Sequence, residues 1–122
     1  MEYHRSQRVA EVLHQEISRM VQFELKDPRL GFVTITGIDV TTDVQFARVY
    51  FTVVGDEDAR RDSAAALERA VGFIRRQLGK RLHMRTVPEL SFRYDHSLER
   101  GNRIEELLRS LREEGADGSE DS

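Results

Sequence analysis

Apolar residues in the first part of the chain recur at helical intervals: Val9, Leu13, Ile17, Met20 and Val21 form one stripe between Arg5 and Lys26. This spacing predicts a helix with a single buried face. Asp27-Pro28 ends it, because the proline ring crowds the preceding residue out of helical geometry. From Phe32 to Thr41 the pattern becomes an alternation rich in β-branched residues, which predicts a strand. Its apolar phase slips across Gly37, from Val33 and Ile35 to Ile38 and Val40. One extra residue exchanges the two faces of a strand, so a β-bulge at Gly37 is expected. Thr42-Asp43 makes a turn. Gln45 to Val54 is then a second strand, with Ala47, Val49, Phe51 and Val53 on one face. The short connection makes the two strands an antiparallel hairpin.

Gly55-Asp56-Glu57-Asp58 signals a helix start, since carboxylates there satisfy free amides and the helix dipole. The pattern predicts a helix from about Asp58 to Ala70, an interruption at Gly72, and a second helix through Phe73, Ile74, Leu78 and Leu82. Val87-Pro88 breaks that helix. Leu90, Phe92 and Tyr94 alternate in a third strand, Glu89 to Tyr94. Leu98, Ile104, Leu107, Leu108 and Leu111 trace an amphipathic helix. Beyond Gly115 the residues are small or acidic, and disorder is expected. The organisation is a body (1–96), a C-terminal helix (97–114) and a tail (115–122). The element order α-β-β-α-α-β implies an α+β fold with a mixed three-stranded sheet. A right-handed crossover places the helices on one face. This is the order of the type II KH fold, a module that binds RNA.

The chain has 122 residues, 39% of them hydrophobic and 34% charged, which suits one globular domain with a heavily charged surface. It has no cysteine, so disulfides, thiolate metal sites and thiol nucleophiles are excluded. No apolar run follows the charged residues of Met1 to Ser6, and none approaches the ~18 residues of a membrane span. A cytoplasmic, monomeric protein is expected. The net charge of -3 is unevenly spread. Residues 113–122 carry five acids and no base, which leaves 19 basic and 17 acidic residues in the body.

Charge also gathers locally. Between Arg69 and Arg85 stand Arg69, Arg75, Arg76, Lys80, Arg81 and Arg85, with no acid among them. Arg76 and Lys80, with Arg69 and Arg81 one position round, fall roughly opposite the Ile74, Leu78, Leu82 stripe. They are expected to form a solvated face that takes phosphates. The plainer alternative is a charged helix surface paired with acids elsewhere. A helix start near Gly72 would add free amides, and the glycine would permit close backbone approach. Arg5 and Arg8, with Arg19, offer either a second RNA contact or a solvated face. Arg29 could cap the preceding helix or meet RNA.

Enzyme chemistry finds little support. Glu11-x-x-His14 is half of a di-metal motif with no second copy. Asp95-His96-Ser97 has the residue types of a catalytic triad, but neighbours in an extended chain point to opposite sides. No phosphate-binding loop of the GxxxxGK[ST] type occurs. Neither catalysis nor a cofactor is expected. Phe46, Tyr50, Phe92 and Tyr94 are expected in the core, although aromatic residues on an open sheet can also stack on bases.

Three stretches together resemble the ribosome-binding factor A family. They are Asp27-Pro28-Arg29-Leu30-Gly31; Ala70-Val71-Gly72-Phe73-Ile74-Arg75 continuing to Leu78-Gly79-Lys80; and Val87-Pro88-Glu89-Leu90 to Asp95, then Ser97, Gly101 and Arg103-Ile104. The likeness covers residues 5–110. It implies a KH-like fold in which a kink between two helices, written Ala-x-Gly and here Ala70-Val71-Gly72, replaces the usual GXXG loop. It also implies binding to the free 30S subunit and its 16S rRNA late in assembly. Assistance in 5′-end processing, importance in the cold and release by an assembly GTPase come with it. Two alternatives are a KH-like domain for another RNA, and an interaction module whose C-terminal helix docks a partner.

Overall fold

A computed structural model of the chain describes residues 5–97 and 105–113. Helix α1 (Arg5–Phe23) buries Leu13, Ile17, Met20 and Val21, as its stripe requires. It stops three residues before the expected end: Glu24 still makes the helical bond to the Met20 carbonyl, but the Leu25 amide reaches back to that same carbonyl and the i→i−4 pattern ends there. Strands β1 (Val33–Val40) and β2 (Phe46–Val53) form the antiparallel hairpin. The Asp43 carboxylate holds the turn, accepting from the Thr41 hydroxyl (2.7 Å) and the Gln45 amide (3.2 Å). Helix α2 (Glu57–Leu82) crosses over to β3 (Glu89–Tyr94), which lies parallel to β2. The strand order is β1-β2-β3, the mixed sheet of a type II KH-like α+β fold.

The bulge lies one residue before its expected place. Ile35 pairs with Phe51 and Gly37 with Tyr50, so Thr36 is the extra residue. Freed from the ladder, its hydroxyl donates to the Asp95 carboxylate at 2.5 Å and ties β1 to the end of β3. Asp95 also accepts from the Ser97 amide at 2.9 Å. The hydrogen bonds from Ser97 and Thr36 hold its carboxyl at a pKa of about 2. Because that value lies below the ordinary one, the ionised group stabilises the fold above about pH 4. The contribution fades as the pH falls from there toward 2. The stability difference between the wild type and Asp95→Asn, measured by urea unfolding, is therefore expected to be constant near neutrality and to close over that acid range.

Helices α1 and α2 cover one face of the sheet. Ala47, Val49 and Phe51 of β2 meet Ile35 and Leu90 beneath Leu13, Ile17 and Met20 of α1 and Leu67, Ile74 and Leu78 of α2. Phe92 and Tyr94 pack against this core as expected. Phe46 and Tyr50 do not. They occupy the other set of alternating β2 positions, with Phe46 51% exposed on the uncovered face.

The expected break at Gly72 is absent. One hydrogen-bonded helix runs from Glu57 to Leu82, capped by Asp56, whose carboxylate accepts from the Ala59 amide at 2.9 Å. The buried stripe explains the continuity: Ser63, Leu67, Ala70, Ile74 and Leu78 step by four, three, four and four residues with no change of phase at the glycine. A single glycine costs a helix only about 1 kcal/mol, which burial on both sides outweighs. Residues 105–113 are helical, with Leu107, Leu108 and Leu111 exposed. Met1 to His4, Gly101, Arg103, Ile104 and the acidic tail lie outside the described residues.

Candidate nucleic-acid interface

The continuous helix changes what the basic cluster can do. Inside it Gly72 has no free amide, so the expected phosphate seat at a helix start does not form. What Gly72 supplies is space. A Cβ there would lie 3.3 Å from Nη1 of Arg76, so the guanidinium folds back over bare backbone. Arg76 and Lys80 follow Gly72 at intervals of four and form one exposed row along α2. Arg85 is exposed in the turn beyond the helix. None of the three has an ion-pair or hydrogen-bond partner among the described residues.

The other three arginines of the cluster are held by the fold. Arg75 is half-buried and donates from Nε to the Pro88 carbonyl (3.1 Å) and from Nη2 to the Val87 carbonyl (2.8 Å). It thereby satisfies the loop entering β3, where proline can donate nothing. Arg69 donates to Asp27 from Nη2 at 2.7 Å and from Nε at 3.2 Å. The Arg29 amide and then Arg69 keep the Asp27 carboxyl below its usual range. Arg81 grips Glu24 with both Nη atoms, one bond measuring 2.7 Å, and lies 3.8 Å from Glu16. That bidentate contact depresses the Glu24 carboxyl in the same way. The expected basic face is thus narrower, and Arg69 and Arg81 are its fixed rims. The acids that pair them come from α1 and its following loop, and no reading of residues 69–85 alone could reveal them.

Ala70 is half-buried against the core and lines a groove of about 520 Å³. That groove separates α2, at Ala66, Arg69 and Ala70, from the loop of Lys26, Asp27 and Pro28. Sequence reasoning passed over Lys26, which the Asp27–Arg69 pair brings beside the cluster. Arg5 and Arg8 stand apart, at least eight residues, or about 12 Å of helix, before Glu16, where α1 meets Arg81. His14 donates from Nε2 to the Ile35 carbonyl (2.8 Å), and His96 stacks edge-on to Tyr94, so both histidines have structural contacts.

Gly72→Ala tests the seating of Arg76. Alanine favours a helix interior by about 0.5–1 kcal/mol, so Tm is expected to rise by a few degrees. The added methyl displaces the guanidinium, and RNA affinity is expected to fall several-fold in a filter-binding titration. A stabilised protein with unchanged affinity would show that the bare backbone at Gly72 serves no binding purpose.

The family model described as Ribosome-binding factor A matches residues 5–108. A ribosome-binding factor A from Geobacter sulfurreducens is 47% identical over 116 residues, covering 94% of this chain and 98% of its own. One from Trichlorobacter lovleyi is 52% identical over 111 residues, covering 91% of this chain and 90% of its own. The crystal structure of ribosome-binding factor A from Thermus thermophilus superposes with a TM-score of 0.67 at 25% identity, over 75% of this chain and 97% of that one. A homology model of the Thermus thermophilus factor, fitted into the cryo-EM map of a complex with 30S, gives 0.60 at 26% identity over 71% of this chain and 91% of its own. With nearly its full length matched in sequence and its fold shared, the chain belongs to the ribosome-binding factor A family.

Proposed function

We propose that this protein binds the free 30S ribosomal subunit through 16S rRNA during late maturation, assists processing of the rRNA 5′ end, and matters most in the cold. It works by binding and catalyses no reaction. The observation that carries this reading is the row Gly72, Arg76, Lys80, continued by Arg85: unpaired cations on a rigid helix, with no acid between them and the helix end. Arg69 and Arg81 border the row, and Ala70 packs half-buried against the core beneath it. Arg5 and Arg8 would make a separate, second contact. The Thermus relative fitted into a 30S complex supports the choice of partner.

Cold sensitivity follows from population shift. Misfolded rRNA helices escape slowly at low temperature, and a protein that binds one folded form enriches it by differential affinity alone. The reading places a monomer in the cytoplasm, without a cofactor, and leaves its release to an assembly GTPase. Sedimentation tests it. The protein is expected to co-migrate with free small subunits and to leave complete ribosomes largely unoccupied. Equal occupancy of both would refute a role confined to immature subunits.

A further inference from the structure

The face of the sheet turned away from the helices carries chemistry that the α2 row does not use. On the central strand β2, Phe46, Arg48 and Tyr50 occupy successive positions of this face. The neighbouring strands add Glu89 beside Phe46, Arg93 beside Tyr50 and Asp39 beside Arg48. Phe46, Arg48, Arg93, Asp39 and Glu89 line one open depression of about 530 Å³. Phe46 is 51% exposed, and Gly37 leaves the flank of Tyr50 without a side chain. Neither Arg48 nor Arg93 has an ion-pair or hydrogen-bond partner among the described residues, although carboxylates stand on adjacent strands.

We propose that this open sheet face is a further RNA site, which stacks two unpaired bases of a single strand on Phe46 and Tyr50 and holds the linking phosphates on Arg48 and Arg93. The proposal rests on the reading of the protein as RNA-binding but not on the α2 row, which lies on the opposite side of the sheet. Two rings four residues apart on a strand are about 13 Å apart, far enough for each to take its own base. The sugar-phosphate between them then passes over Arg48. An exposed aromatic face between unpaired guanidinium groups matches the two parts of a nucleotide, the π-surface and the anion. The rim carboxylates Asp39 and Glu89 accept hydrogen bonds and donate none, so cytosine, with the two N–H donors of its exocyclic amine, suits them better than uracil, whose pairing edge has only N3–H to give.

The test uses the full chain with end-labelled eight-nucleotide oligo(C) and oligo(U) RNA, read by fluorescence anisotropy and by amide NMR shifts. Oligo(C) is expected to bind more tightly than oligo(U), with shifts concentrated in Phe46–Val53 and Glu89–Tyr94. Phe46→Ala should weaken binding by roughly 5- to 150-fold, the loss of one stacked base. Arg48→Ala should lower the steepness of the log-log salt dependence by about 0.7. Arg76→Glu with Lys80→Glu should leave the sheet shifts in place. Shifts confined to α2 would overturn this proposal while sparing the α2 reading, and absence of saturable binding to either oligonucleotide would overturn it as well. A dimer dissolved by Phe46→Ala would assign the face to a second copy. The wild-type shift map does not depend on how either variant folds.

Discussion

Replacing Arg76 and Lys80 together with glutamate is expected to reduce affinity for the 30S subunit by at least about 100-fold while the protein stays folded. Both side chains are exposed and have no partner among the described residues, so the fold loses no contact. Lys80 does lie in the last turn of α2, where a cation suits the helix dipole. An anion there costs about 0.3–1 kcal/mol, and Tm should fall by a few degrees at most. The binding effect is larger because two phosphate contacts are lost and two repulsions take their place. Each contact adds about 0.7–0.9 to the log-log salt slope, so alanine at both positions should reduce that slope by about 1.4–1.8. Sedimentation with purified subunits and circular dichroism separate the two effects. An intact variant that still binds at wild-type affinity would remove the α2 row from the mechanism.

Phe51→Ala is expected to cost about 3–5 kcal/mol, the largest single-residue loss of stability in the molecule. Phe51 is 1% exposed on the central strand and meets both helices through the core. Its ring also meets Tyr94 edge-on at 5.8 Å, and the Arg60 guanidinium lies 3.8 Å over the other ring of that pair. Truncation therefore leaves a cavity where the sheet and the start of α2 meet. Small domains are stable by only about 5–15 kcal/mol, so a large part of the margin disappears. Thermal unfolding should begin roughly 15–30 °C lower. A shift of only a few degrees would mean that the core closes around the gap, and that the sheet is less rigid than its burial indicates.

The fold was legible where one rule governed each segment. The stripe of Leu13, Ile17, Met20 and Val21, the alternation of Ala47, Val49 and Phe51, and the carboxylate cap at Asp56 each led to an observed element. The phase slip disclosed the bulge, displaced by one residue because the sequence shows that a residue is extra but not which neighbour leaves the ladder. Gly72 misled because propensity is a local cost and burial a collective gain, though the unbroken spacing from Ser63 to Leu78 was already in the sequence. The site was less legible. Counting charges between residues 69 and 85 separates bases from acids only along the chain. Asp27 and Glu24 reach Arg69 and Arg81 across 42 and 57 residues. Arg75 turns inward because the Val87-Pro88 carbonyls need a donor, a demand that appears only once β3 is placed. The exposure of Phe46 follows from its parity with Ala47 and Val49, whereas the expectation of core packing rested on the aromatic residue type and not on its phase in the strand.

Ultraviolet crosslinking of the protein on immature 30S particles, mapped to peptides and nucleotides, decides whether the α2 row meets 16S rRNA. Crosslinks from the peptide spanning Ala70 to Arg85 to 16S rRNA, lost in the Arg76→Glu, Lys80→Glu variant, are the expected result. A bound protein whose crosslinks all arise elsewhere, with none from that stretch of α2, would contradict it.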